Sequence, residues 1–176
     1  GGSHDTPERA PHGADAWWLV PFAGWLVAAA WFFRAPLLSG FARVQGDPGD
    51  TRLLALLREH WWKVLRGATP WRDLGFFHPW PNVLGFSDTF MLESVVYVPW
   101  RVLGAEPLLA SQLTVISLSA IGFAGWWVVL GRLGLEGRRW VRLGLTALAT
   151  FPHQLAQQVL HQQLLSVWWL PWTIVL

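Results

Sequence analysis

Long uncharged stretches alternate along this chain with segments where acids and bases are interleaved with leucine and tryptophan. Ala16 to Phe33 is the first apolar run, close to the ~20 residues a helix needs to cross a bilayer. Trp17, Trp18, Trp31, Phe32 and Phe33 stand at its two ends, as interfacial anchors do. No small-residue cleavage pattern follows it, so it reads as a span rather than a signal peptide. Pro107 to Gly131 is a second, cleaner span. From Leu143 to Pro152 the apolar stretch amounts to only ~15 Å of helix, about half of a ~30 Å hydrocarbon core. A crossing over 140–160 must therefore carry the polar tract His153 to His161 at membrane depth. A further apolar run begins at Leu164 and continues to Leu176, giving a span over 164–176 and onward.

The loop between the second and third spans fixes the orientation. It holds Arg132, Arg138, Arg139 and Arg142 against Glu136, and short loops that basic face the cytoplasm. With Ala16–Phe33 leaving the cytoplasm, the sidedness closes only if Thr89 to Gly104 does not cross. Its internal Glu93, Pro99 and Arg101 point the same way. Residues 34–106 then form one large extracytoplasmic loop with two juxtamembrane helices. The first, Thr51 to Arg66, is amphipathic: Leu53, Leu54, Leu57, Trp61, Val64 and Leu65 take one face, and Arg52, Glu59, Lys63 and Arg66 the other. The second is Thr89 to Gly104. The expected architecture is an all-α polytopic membrane protein.

Composition narrows the function. Hydrophobic residues make up 53% of the chain and charged residues 14%, which is wrong for a soluble domain of 176 residues. Its 15 tryptophans suit a membrane–water interface. A net charge of +2, with basic residues scattered rather than gathered, excludes a nucleic-acid footprint. The absence of cysteine removes disulfide and thiolate chemistry. Residues 1–15 read as a disordered tail opening on Gly1-Gly2-Ser3-His4, which looks like a tag scar. The chain stops within an apolar run, and residues 16–176 read as the N-terminal part of a longer protein.

Candidate chemistry gathers at the outer membrane surface. Asp47-Pro48-Gly49-Asp50 follows the first span, and carboxylates at that depth pair, bind a cation or face a polar cavity. Asp50 is placed to cap the helix from Thr51, whereas Asp47 has no visible capping duty. His78 with Asp88, and His153 with His161, join these acids on the same side. Gln154, Gln157, Gln158 and His161 share a helical face that turns to a bundle interior or wet cavity rather than to lipid. Carboxylate and imidazole together bind a divalent cation or share a proton. The spacing matches no metal motif, and neither a Ser-His-Asp arrangement nor a phosphate-cradling glycine pattern is present.

The order of these parts resembles the N-terminal region of bacterial GT-C type membrane glycosyltransferases. The likeness rests on Gly46-Asp47-Pro48-Gly49-Asp50, Phe76-Phe77-His78-Pro79-Trp80-Pro81-Asn82, Phe86-Ser87-Asp88, the loop Arg132–Arg139, and Phe151-Pro152-His153 leading to His161-Gln162-Gln163-Leu164-Leu165. The resemblance implies transfer of a sugar from a polyprenyl-phosphate-linked donor to an acceptor at the outer face of a bacterial plasma membrane. Asp47 or Asp50 would be the catalytic acid, as base or as part of a divalent-cation site. Arg52, His78, Asp88, His153 and His161 would contact substrate. In that family a second acid commonly lies in the next outer loop, and here the His153–His161 tract replaces it. A lipid-linked saccharide transporter or flippase would also place polar groups in a bundle, and a non-catalytic membrane scaffold is a third reading.

Overall fold

The computed structural model describes residues 18–75, 79–86, 89–151 and 168–176. The fold is all-α, with no strand among the described residues. Helix α1, Leu19–Phe32, is apolar on every side; Phe33 interrupts it and the chain resumes as the single turn α2, Arg34–Leu38. Gly40 and Phe41 then take left-handed backbone and turn the chain towards α3, Pro48–Leu65. A short 3-10 turn, Val83–Phe86, precedes α4, Met91–Val102. Helix α5, Pro107–Leu130, opens on a proline whose missing N–H is no loss in a first turn. It runs into a widened π turn, Gly131–Leu135, which Gly134 closes at φ 92°. Helix α6 covers Arg139–Thr150, and α7 covers Leu170–Val175.

Helix α5 is the hub: α1, α3, α4, α6 and α7 all pack on it. Its small residues allow this. An added Cβ at Gly122 would lie 2.5 Å from the Trp168 ring, and one at Gly125 would lie 2.7 Å from Pro171. The main core joins Phe32 and Phe33 at the end of α1 to Leu118, Phe123 and Phe151. Its rings meet at 4.9 Å (Phe32–Phe33) and 5.4 Å (Phe32–Phe151), within the range of favourable aromatic contact. One described helical stretch, Pro107–Leu135, is long and apolar enough to cross a membrane; Leu19–Phe32 is apolar but shorter. Large apolar side chains also face outward, among them Val27, Trp31, Trp140 and Leu148.

The two amphipathic helices form where the sequence places them, but two details differ. Helix α3 starts three residues earlier than Thr51, and Asp47 rather than Asp50 is its cap. The side-chain oxygen Oδ1 of Asp47 accepts the amide protons of Gly49 (2.8 Å) and Asp50 (3.1 Å). Pro48 explains the shift: fixed at a helical φ, it takes the first helical position and leaves the cap to the residue before it. The buried face of α3 also differs from the leucine stripe. Leu53 and Leu65 are exposed, while Arg58 and His60 are buried beside Leu54 and Leu57. Pairing with Glu93 of α4 draws Arg58 inside, and a hydrogen bond to the Trp71 carbonyl satisfies buried His60. Helix α6 covers the beginning of the expected span 140–160, and the remainder, with the tract His153–His161, lies outside the described residues.

Candidate functional site

Two neighbours on α3, Arg58 and Glu59, carry opposite charges, and α4 answers each of them. The carboxylate of Glu93 accepts from Nε of Arg58 at 3.1 Å and pairs with Nη2 as well. The Glu59 carboxylate accepts from Nε of Arg101 at 2.8 Å and from Nη2 at 3.1 Å. Glu93 and Arg101 lie about two turns apart on α4, so both reach α3 from one face. The brace extends to α5, where Arg58 Nη1 donates to Ser111 Oγ at 2.6 Å. Further along, Trp100 Nε1 donates to Ser117 Oγ at 3.2 Å.

Burial decides what this network does. Arg58 is 0% exposed and Glu93 2%, so neither charge is solvated and each depends on the other. Tyr97, also 0% exposed, donates its hydroxyl to Glu59 Oε2 at 2.6 Å. Burial, followed by the hydrogen bond to Glu59 and its charge, pushes the Tyr97 phenol well above its ordinary value. Tyr97 thus stays a proton donor at any physiological pH. The second oxygen of Glu93, Oε1, is buried without a hydrogen-bond partner among the described residues.

The brace holds the first turn of α3 against the end of α1 and the start of α5. A cavity of about 10 Å3, room for a single water, is lined by Phe33, Pro36, Gln45, Thr51, Ser111 and Gln112. Those six residues come from the end of α1, α2, the turn before α3, the start of α3 and the start of α5. Gln112 Nε2 fastens the turn after α2 by donating to the Phe41 carbonyl at 3.1 Å, and Thr51 Oγ1 donates to the Gln45 carbonyl at 3.1 Å. Asp47 and Asp50 are therefore brought together in one capped turn, with Asp47 exposed and Asp50 half-buried. The cap is made by Oδ1 of Asp47, and Asp50 contributes its backbone N–H to it.

Arg52 is exposed and makes no ion pair among the described residues. His78, Asp88, His153 and His161 lie outside the described residues. Among the described residues no three acidic or histidine side chains converge as a metal centre would require.

A third feature sits on the C-terminal half of α3. The loop after that helix packs Leu74, Val83 and Leu84 on Leu57, forming a second small core. Buried His60 donates from Nε2 to the Trp71 carbonyl at 2.8 Å, and Trp61 Nε1 donates to the Thr89 carbonyl at 2.5 Å. Sequence reasoning overlooked His60 and the Arg58–Glu93 pair. The available signal was the adjacent Arg58-Glu59 set against Glu93 and Arg101 eight residues apart, a pattern of matched charges on two amphipathic segments. Comparison of the chain with protein-family models, curated proteins and solved structures finds no match.

Proposed function

We propose that the protein transfers a sugar from a polyprenyl-phosphate-linked donor to an acceptor at the outer face of a bacterial plasma membrane, as part of a GT-C-like polytopic bundle. The observation that carries this reading is the pair of acids in the first turn of α3, which the buried charge network holds at the ends of two apolar helices. An enzyme working on a lipid-anchored substrate needs a base at that depth. The outward-facing Val27, Trp31, Trp140 and Leu148 suit a bilayer surround. In the proposed orientation the arginines at the π turn and the start of α6 face the cytoplasm.

The acceptor hydroxyl oxygen attacks the anomeric carbon of the donor, and the bond from that carbon to the phosphate oxygen breaks. Polyprenyl phosphate departs with the bonding electrons, and the hydroxyl proton passes to a carboxylate. Asp50, half-buried in the capped turn, is taken as the base, and Asp47 holds that turn in place as the helix cap. A positioned general base contributes about 10²–10⁴-fold. Arg52, exposed two residues along, supplies positive charge near the departing phosphate.

Native mass spectrometry of co-purifying lipids tests the reading. Polyprenyl phosphate or its sugar conjugate bound to the protein supports it. Bulk phospholipid alone, from wild type and Asp50→Asn alike, speaks for a scaffold instead.

A further inference from the structure

Beyond the turn that carries the acids, the loop after α3 borders an open cavity of about 450 Å3 lined by Trp71, Arg72, Asn82, Leu84 and Thr89. We propose that this cavity is a saccharide subsite that grips the acceptor at a distance from the reacting hydroxyl, so the acceptor is a glycan chain rather than a small alcohol. The role as acceptor subsite rests on the transfer reading above, whereas the saccharide chemistry rests on the cavity itself.

Its walls are held in place before any ligand arrives. His60 and Trp61 anchor the backbone at Trp71 and Thr89. The Asn82 N–H donates to Asp73 Oδ1 at 2.9 Å, and the Leu84 N–H donates to the Arg72 carbonyl at 3.2 Å. Asn82 itself is held at φ 60°, a left-handed conformation that Asn adopts more readily than most residues. Leu84 is buried in the small core beneath. A site with fixed walls loses little conformational entropy on binding.

The lining matches a hydroxylated ring. Trp71 is 52% exposed and offers indole surface, with the Arg72 guanidinium 4.6 Å from its ring centroid. The side chains of Arg72, Asn82 and Thr89 make no hydrogen bond among the described residues. Together they offer a planar fork of donors, a carboxamide that both donates and accepts, and a hydroxyl. An apolar face beside mixed donors and acceptors suits a pyranose, whose C–H face and hydroxyl rim have the same division. A phosphate or nucleotide would want more positive charge than Arg72 brings beside the Asp73 carboxylate. A purely apolar ligand would leave the three polar groups stranded.

Distance gives the subsite its meaning. His60, which anchors the cavity wall at Trp71, is 10 residues along α3 from Asp50, or about 15 Å at 1.5 Å per residue. A single sugar in the cavity cannot present its hydroxyl to Asp50. A chain of several units can occupy both places.

Wild type, Trp71→Ala, Asn82→Gly and Asp50→Asn, each purified in detergent, are applied to an array of immobilised hexasaccharides of glucose, mannose, galactose and N-acetylglucosamine. Wild type is expected to retain one of these glycans. Trp71→Ala and Asn82→Gly each weaken it tenfold or more with unchanged melting temperature. Gly at position 82 keeps the left-handed backbone, so its loss reports the carboxamide and not the loop fold. Retention of no hexasaccharide by wild type, or equal retention by Trp71→Ala, overturns the subsite. Transfer that survives in Asp50→Asn while glycan binding needs Trp71 sinks the catalytic reading and leaves the subsite standing. Transfer that needs Asp50 without any glycan retention sinks the subsite alone.

Discussion

Replacing Glu93 with Leu strips a fully buried guanidinium of its counter-charge. Arg58 loses both donor contacts to the carboxylate and keeps only Ser111 Oγ at 2.6 Å. At 0% exposure it cannot recover solvation by turning outward. Breaking a buried pair from one side costs about 3–5 kcal/mol, because the remaining charge stays uncompensated. For a chain of this size that corresponds to a fall of about 6–20 °C in melting temperature. The double variant Arg58→Met/Glu93→Leu removes both charges and fills the space with apolar side chains. It is expected to recover most of the loss, since such replacements are often neutral or stabilising. Thermal unfolding of wild type, both single variants and the double variant completes a double-mutant cycle. A Glu93→Leu protein within about 1 kcal/mol of wild type, or a double variant as unstable as the sum of the singles, would refute the brace.

Other consequences follow from the same geometry. Asp47→Ala removes the cap and is expected to lower stability by about 0.5–2 kcal/mol, whereas Asp47→Asn, itself a good cap, changes it little; chemical denaturation separates the two. The Tyr97 phenol is raised in the folded protein, so its stabilisation is complete below the unfolded value near 10 and is lost as pH rises beyond it. The stability gap between wild type and Tyr97→Phe is therefore expected to narrow between about pH 9 and pH 11, and a gap constant across that window would contradict the burial of the hydroxyl. The chain has no cysteine, so a single engineered one reports sidedness without background. Cysteine at Arg66 should react with an impermeant maleimide from outside the cell and cysteine at Glu136 only after permeabilisation, and the reverse would invert the proposed orientation.

The helices were legible in the sequence wherever composition and period agreed. The uncharged stretch beginning at Pro107 forms α5, and the segments around Thr51–Arg66 and Thr89–Gly104 form α3 and α4. The face of α3 was not legible, because a leucine stripe says where apolar area lies but not which neighbour covers it. Leu65 stays at the surface while Arg58 goes inside, since α4 brings Glu93 to meet it. The charges in α4 argued against a crossing, but their pairing with α3 needed the third dimension. The cap was misread by three residues because Asp47 and Asp50 are equally good caps in isolation, and Pro48 decides between them. The cavity at Trp71 and Asn82 depends on contacts between α3 and its following loop that no local pattern encodes.

The most direct measurement is sugar transfer by the protein in membranes supplied with a labelled polyprenyl-phosphate sugar, comparing wild type, Asp47→Asn and Asp50→Asn at matched folding. The account expects Asp50→Asn to lose about 10²-fold or more, as removal of a general base does, and Asp47→Asn to retain most activity. Full activity in Asp50→Asn, or none in wild type, would contradict it.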